Sequence, residues 1–135
     1  MALGDVLLVD EQSLWVQKGC AFVEGTTALL AVLQAGEASL VVKPGSELEA
    51  YRVEPLNDVL EPSHSLQIGA KVFQRSWRKP AQARSFDLGI GGEVWLGEYQ
   101  SGIERLWLIR AGMQSHAYLA REGAASSVRV LGPGS

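Results

Sequence analysis

The chain has little of what builds covalent cross-links or metal centres. Its 135 residues include one cysteine, Cys20, and two histidines. A single cysteine excludes an intramolecular disulfide, and one cysteine with two histidines is too few for a structural zinc module. We therefore expect no metal and no cofactor. The simplest location is a reducing compartment, the cytoplasm.

Long apolar runs are also absent. The longest weakly polar stretch, residues 26–35, has about ten residues, whereas a membrane-spanning helix needs roughly 20. Asp5 interrupts the amino-terminal segment before an apolar run can grow, which disfavours a secretory signal. We expect no membrane contact. With 47% hydrophobic and 20% charged residues, the composition is typical of one globular domain, residues 1–131, followed by a flexible tail, residues 132–135.

Glycine and aromatic residues in the second half indicate the fold class. Six closely spaced glycines divide residues 88–119 into pieces of strand length, and each piece carries aromatic or aliphatic side chains. Glycine at such intervals disfavours helices, whereas aromatic residues suit a pleated surface. The sequence predicts an all-β protein in which an antiparallel meander forms a sandwich or a partly open barrel.

Two segments leave room for a short helix. Residues 26–35 are continuously apolar, and Thr26 or Thr27 could cap a helix that stops at Gly36. Continuous apolarity fits a buried strand equally well, and we favour a strand because Gly25 and Gly36 lie so close together. A second short helix is possible within residues 56–61.

Charge is distributed unevenly along the chain. Residues 1–61 hold ten acids and three bases, whereas residues 62–135 hold five acids and nine bases. A predicted strand that begins at residue 66 would project basic and aromatic side chains from one face, namely Lys71, Phe73, Arg75, Trp77 and Lys79, with Arg78 adjacent. Such a face could bind single-stranded nucleic acid, because cations neutralise phosphates and rings stack on bases. The alternative is an edge strand that Arg and Lys protect from aggregation.

The segment 103–110 is apolar on both faces, with Trp107 on one of them. One face can line the core, and the other needs a second sheet, a partner chain or a ligand to cover it. Trp95, Trp107 and Tyr118 are candidate anchors, since large rings bury much area with few rotatable bonds. The leading hypothesis is a non-catalytic binding or assembly module that contacts a protein, with a homodimer through this surface as its specific form, or a small ligand.

Catalytic constellations are sparse. Glu93, Glu98 and Glu104 with His116 could serve a small hydrolase or isomerase if burial separated the pKa values of two facing acids. Acids near hairpin ends are more often solubilising residues, and the residues adjacent to Cys20 are Gly19 and Ala21 rather than a base that would activate it. We therefore expect no catalytic residue.

Overall fold

A computed structural model describes residues 5–9, 12–44, 48–56, 60–86, 90–121 and 126–133. Within these ranges the chain is all-β and contains no helix. The strands are β1 (Asp5–Val9), β2 (Gln12–Glu24), β3 (Thr27–Ala35), β4 (Ala38–Lys43), β5 (Glu49–Leu56), β6 (Ser65–Ile68), β7 (Lys71–Phe86), β8 (Gly92–Ser101), β9 (Glu104–Ala111), β10 (Gln114–Ala120) and β11 (Ser126–Pro133). The predicted fold class is confirmed.

Tight glycine turns join the hairpins. Gly36 connects β3 to β4 with a φ of 62°, and Gly102 connects β8 to β9 with a φ of 60°. A side chain at a positive φ meets its own backbone, so glycine fits these turns best. Residues 27–35 form a strand, because β2 and β4 pair with this apolar segment on both sides. In the second segment considered for a helix, residues 57–59 lie outside the described residues, and residues 60–61 are irregular.

All strand pairs are antiparallel, and the sheet curves into a ring. The order β2-β3-β4-β5-β10-β9-β8-β7 returns to β2, because Cys20–Val23 of β2 pairs with residues 82–85 of β7. Only four residue pairs close this ring, so the structure is a partly open barrel, as predicted. The strands β1 and β11 extend the sheet, and β11 also pairs with β5 at Ser126 and Ser127.

Three apolar clusters fill the spaces that the curved sheet creates. The interior of the eight-stranded ring holds Phe22, Tyr51, Leu96, Trp107 and Tyr118 with nine smaller or neighbouring side chains. A second cluster lies on the opposite face of β3 and β4 and is completed by β1 and β2. The third cluster covers the outer face of β8, β9 and β10. Successive residues of one strand therefore enter different cores, as the period of two requires.

The strand β9 is apolar on both faces, and its own chain covers both. Trp107 and Ile109 lie inside the ring, whereas Leu106 and Leu108 belong to the outer cluster. All four side chains have no exposed surface. Leu60 and β6 pack over the outer face. In place of the second sheet, partner chain or ligand considered for the segment 103–110, further parts of the same curved sheet and Leu60 cover β9, whereas Ile103, which precedes β9, is 70% exposed.

Two further points concern the chain ends and the bilayer. Gly132 and Pro133, which the sequence assigned to the tail, pair with β1 as part of β11. In the part of the chain that the structure describes, no helix has the length and apolarity that crossing a bilayer would require.

Candidate functional site

The side of β7 that faces away from β8 is open along six residues. Residues 71–74 pair with β6, and the carbonyl of His64 accepts the N–H of Arg75 at 2.9 Å. Residues 82–85 pair with β2. Between these contacts, residues 77–81 pair with β8 on one side and Ser76 lies in a β-bulge, and no strand of the described chain pairs with residues 76–81 on the other side. We call residues 76–81 the β7 edge.

The β7 edge carries basic, aromatic and imino side chains. Ser76, Arg78, Lys79 and Pro80 are exposed, and Trp77 is half-buried. The sequence predicts that Pro80 ends the strand, but β7 continues through it to Phe86. A proline lacks the N–H that a central strand needs, so its position where only one neighbouring strand pairs is physically consistent.

Hollows adjoin the β7 edge. One has a volume of about 310 Å³ and is lined by Leu29, Trp77 and Lys79 at the mouth of the ring. Another, of about 260 Å³, is lined by residues 78–80 with Val94 and Trp95. A third, of about 440 Å³, continues from Pro80 and Trp95 toward the turn after β2. The open backbone therefore lies beside space that side chains of a bound molecule can enter.

A buried carboxylate positions Trp77. Glu98 is 7% exposed, and its Oε2 accepts the indole N–H of Trp77 at 3.1 Å. Its Oε1 accepts the indole N–H of Trp107 at 2.9 Å and the Lys43 Nζ at 2.9 Å. Three donors from three strands thus satisfy one carboxylate, which fixes the Trp77 ring at the mouth of the ring.

The outer face of β8 is held by a second aromatic arrangement. The Trp95 ring lies against Gly97, where an added Cβ would come within 2.6 Å of a ring carbon. The ring centroids of Trp95 and Tyr99 are 6.5 Å apart, and the Arg75 guanidinium lies 6.0 Å from the Trp95 centroid. That guanidinium also donates to Nδ1 of His64 at 3.0 Å. Only glycine at position 97 lets the Trp95 ring lie this close to the strand.

The single basic and aromatic face predicted for this segment is wrong, for two reasons. Residues 66–72 are not one strand, because Gly69 turns the chain between β6 and β7 with a φ of 61°. A β-bulge then lies between Arg75 and Trp77. The extra residue reverses the alternation, so Arg75 shares the outer face with Tyr99 and Trp77 shares the inner face with Glu98.

The remaining predicted anchors are distributed over the two sides of the sheet. Phe73 is 1% exposed in the outer cluster, and Trp107 is fully buried inside the ring. Tyr118 is 8% exposed and also packs inside the ring. Trp95 is half-buried and lines two of the hollows. The structure therefore brings together Trp77, Arg78, Lys79 and Trp95 near the β7 edge, and it places Phe73, Trp107 and Tyr118 in the cores.

The glutamates considered for catalysis have separate partners. Glu104 is buried and accepts Lys71 Nζ at 2.6 Å, and the exposed Glu93 accepts the Gln82 amide at 3.4 Å. Within the described residues, no hydrogen bond joins His116 to any of these carboxylates, and its Nε2 is buried without a partner. The geometry does not assemble an acid and base pair.

The shifted pKa values inside the ring have one main cause. Burial raises the pKa of the Cys20 thiol to about 11 and raises the pKa of Tyr118, which the neighbouring Cys20 raises further. Burial also lowers the pKa of His116. Each shift favours the neutral form, so these groups behave as core residues at neutral pH.

Sequence reasoning missed Leu29 and Lys43. Both residues lie on strands that are far from β7 in sequence, and only ring closure brings them to the mouth.

Among the described residues, no group of three or more His, Cys, Asp or Glu side chains is arranged to hold a metal ion. Comparisons with protein-family models, with curated proteins and with solved structures find no match.

Proposed function

We propose that this protein is a non-catalytic binding module that contacts another protein through the β7 edge. The observation that supports this proposal is the side of residues 76–81, between β6 and β2, with which no strand of the described chain pairs. An unpaired strand edge can bind an extended chain through the alternate N–H and C=O groups that point away from its paired neighbour, to which Pro80 contributes no N–H.

The surroundings of the edge suit a protein ligand. Trp77 and Trp95 line hollows on its two sides, and tryptophan is enriched among residues that anchor protein contacts. Glu98 holds Trp77 in place before any partner arrives, which lowers the entropy lost on binding. A homodimer through the segment 103–110 has less support, since Ile103 is exposed but the side chains of Leu106, Trp107, Leu108 and Ile109 are fully buried.

Nucleic acid is a weaker candidate for the same surface. Stacking needs several exposed rings beside the cations, and the bulge separates Trp77 from Arg75 while Phe73 is buried. For the location, we propose the cytoplasm, supported by the single buried thiol of Cys20.

The test is a selection of random dodecapeptides displayed on phage against the full chain. Enriched peptides, measured by fluorescence anisotropy, should bind the wild-type protein and lose affinity for the double variant Arg78→Glu/Lys79→Glu. The matched control is Lys18→Glu, an exposed lysine on β2 that does not line these hollows. A library that yields no binder, or binders that ignore the double variant, would contradict the proposal.

A further inference from the structure

We infer that the β7 edge takes an extended acidic peptide as an added strand, with acidic and apolar residues alternating along it. This inference rests on the proposed function and specifies the chemistry of the partner. It concerns a segment of another protein, because like charges along the β7 edge disfavour pairing with a second copy of this chain.

The length of the opening limits the ligand. Six residues of β7 span about 20 Å at roughly 3.3 Å per residue. At one end, Lys79 lies 4.0 Å from Glu24, which follows the last residue of β2 that pairs with β7. At the other end, the His64 carbonyl accepts the N–H of Arg75. The preceding residue, Ser63, is held by its carbonyl, which accepts the Tyr99 hydroxyl at 2.7 Å. The opening corresponds to about five or six residues of an added strand, and the flanking residues of a longer peptide lie beyond it.

The faces of β7 dictate the alternation. Trp77 lies opposite Glu98 and Lys79 lies opposite Leu96, so both are on the ring side of β7, where they line a hollow together with Leu29. Arg78 lies opposite Gly97 and is on the outer face. Residues of an added strand alternate in the same way, so every second side chain enters the hollow beside Trp77 and the others lie beside Arg78. An apolar residue suits the first environment.

Each face of the β7 edge also carries one cation, Lys79 on the ring side and Arg78 on the outer face. Arg78 makes no ion pair within the described residues, and the only ion pair of Lys79 is the distant one with Glu24. Arg78 on the outer face and Lys79 on the ring side each lack a close counter-charge, and such exposed cations favour carboxylates on the ligand. Two copies of this chain paired edge to edge would bring Arg78 and Lys79 of each copy together, and this repulsion disfavours a homodimer through the edge.

The probe is a synthetic octapeptide of alternating glutamate and valine, blocked at both ends, with the lysine and valine octapeptide as its charge control. We expect the acidic peptide to bind the full chain and the basic peptide not to bind. The double variant Arg78→Glu/Lys79→Glu should weaken the acidic peptide by about tenfold or more, since each exposed pair contributes modestly, whereas Lys18→Glu leaves affinity unchanged. Equal binding of both peptides would overturn the charge assignment.

Strand addition has a signature that side-chain docking lacks. In an added strand, alternate backbone amides donate to β7 and the others point away. Two further peptides therefore carry N-methyl groups, one on all glutamate amides and the other on all valine amides. One of them should lose at least about tenfold in affinity while the other stays within about threefold, the difference that several lost hydrogen bonds produce. Equal losses, or none, would overturn strand addition and leave the proposed binding function standing.

Hydrogen exchange and light scattering complete the test. Amides within residues 76–81 should exchange more slowly when the acidic peptide is bound. Two other occupants are tested in parallel. A dimer mass in light scattering that Arg78→Glu converts to monomer would show that a second copy of this chain occupies the edge, and this result would overturn the inference. A single-stranded oligonucleotide that binds while the acidic peptide does not would overturn it as well. If selected dodecapeptides also fail to bind, the proposed function fails with it.

Discussion

Replacing Glu98 with glutamine removes one charge from the carboxylate that joins β4, β7 and β9. Glutamine keeps the size of glutamate but has one acceptor oxygen and an NH₂ group. In the wild-type protein the two carboxylate oxygens receive the Lys43 ammonium and two indole N–H groups. After Glu98→Gln, at least one of the three donors must face the NH₂ group, and Lys43 loses its counter-charge.

The cost follows from burial. Glu98 is 7% exposed and the Lys43 side chain is 24% exposed. Breaking a buried ion pair costs about 3 to 5 kcal/mol, and an unsatisfied buried donor costs about 1 to 3 kcal/mol. Because Lys43 retains some contact with water, we expect about 3 kcal/mol of lost stability for Glu98→Gln.

Urea unfolding followed by circular dichroism measures this loss. With a slope of about 1.5 kcal/mol per molar, a loss of about 3 kcal/mol lowers the midpoint by about 2 M. The control is Glu104→Gln, a carboxylate equally buried at 6% but bound to Lys71, whose side chain is 58% exposed. This exposed pair should cost less than about 1 kcal/mol. If both variants lose the same small amount, Glu98 does not clamp the strands and the positioning of Trp77 needs another explanation.

Three further predictions address other parts of the molecule. Gly97→Ala should displace the Trp95 ring and cost about 1 to 3 kcal/mol, seen as a change in near-UV circular dichroism with a lower urea midpoint; an unchanged spectrum would contradict the close approach. Burial raises the pKa of Cys20 to about 11, so at pH 8 the thiol should react with a thiol reagent only as fast as the protein unfolds. Rapid reaction of the folded protein would refute its burial. The contribution of Cys20 to the free energy of unfolding should fall as pH rises from about 9 to 11. Because burial lowers the pKa of His116, folding stability should decrease as pH falls below about 6.5, since the unfolded chain then binds the proton more readily. His116→Gln should remove that part of the pH dependence, and an identical stability profile in both proteins would show that another group causes it.

The fold class followed from the sequence because its signals are local. Glycine spacing marked the hairpins, and the turns at Gly36, Gly102 and Gly112 lie where those glycines predicted them. The apolar segment 27–35 could not be assigned by periodicity, since a strand buried on both faces has none. Its pairing with β2 and β4, which is a tertiary property, decides the structure.

The candidate site was only partly predictable. The basic residues Arg78 and Lys79 were found from sequence, and both are exposed as a charged edge requires. The bulge before Trp77 was not found, because one extra residue in a ladder depends on the partner strand and leaves no pattern in β7 alone. The roles of Lys43 and Leu29 depend on ring closure across distant segments, which no local pattern encodes.

The strands β3 and β4 are shared walls between two separate apolar compartments. Val32 and Val41 project into the eight-stranded ring, whereas Leu33 and Leu40 project into the space closed by β1 and β2. A shift of either strand by one residue would turn each of its side chains to the opposite face, so the packing of both compartments would be disrupted together. Misaligned pairing therefore loses stability in two cores. Neither compartment can lose its packing without removing a wall from the other. The molecule should consequently melt in one transition, and cutting it into an amino-terminal and a carboxy-terminal piece should yield two fragments that fold only when mixed.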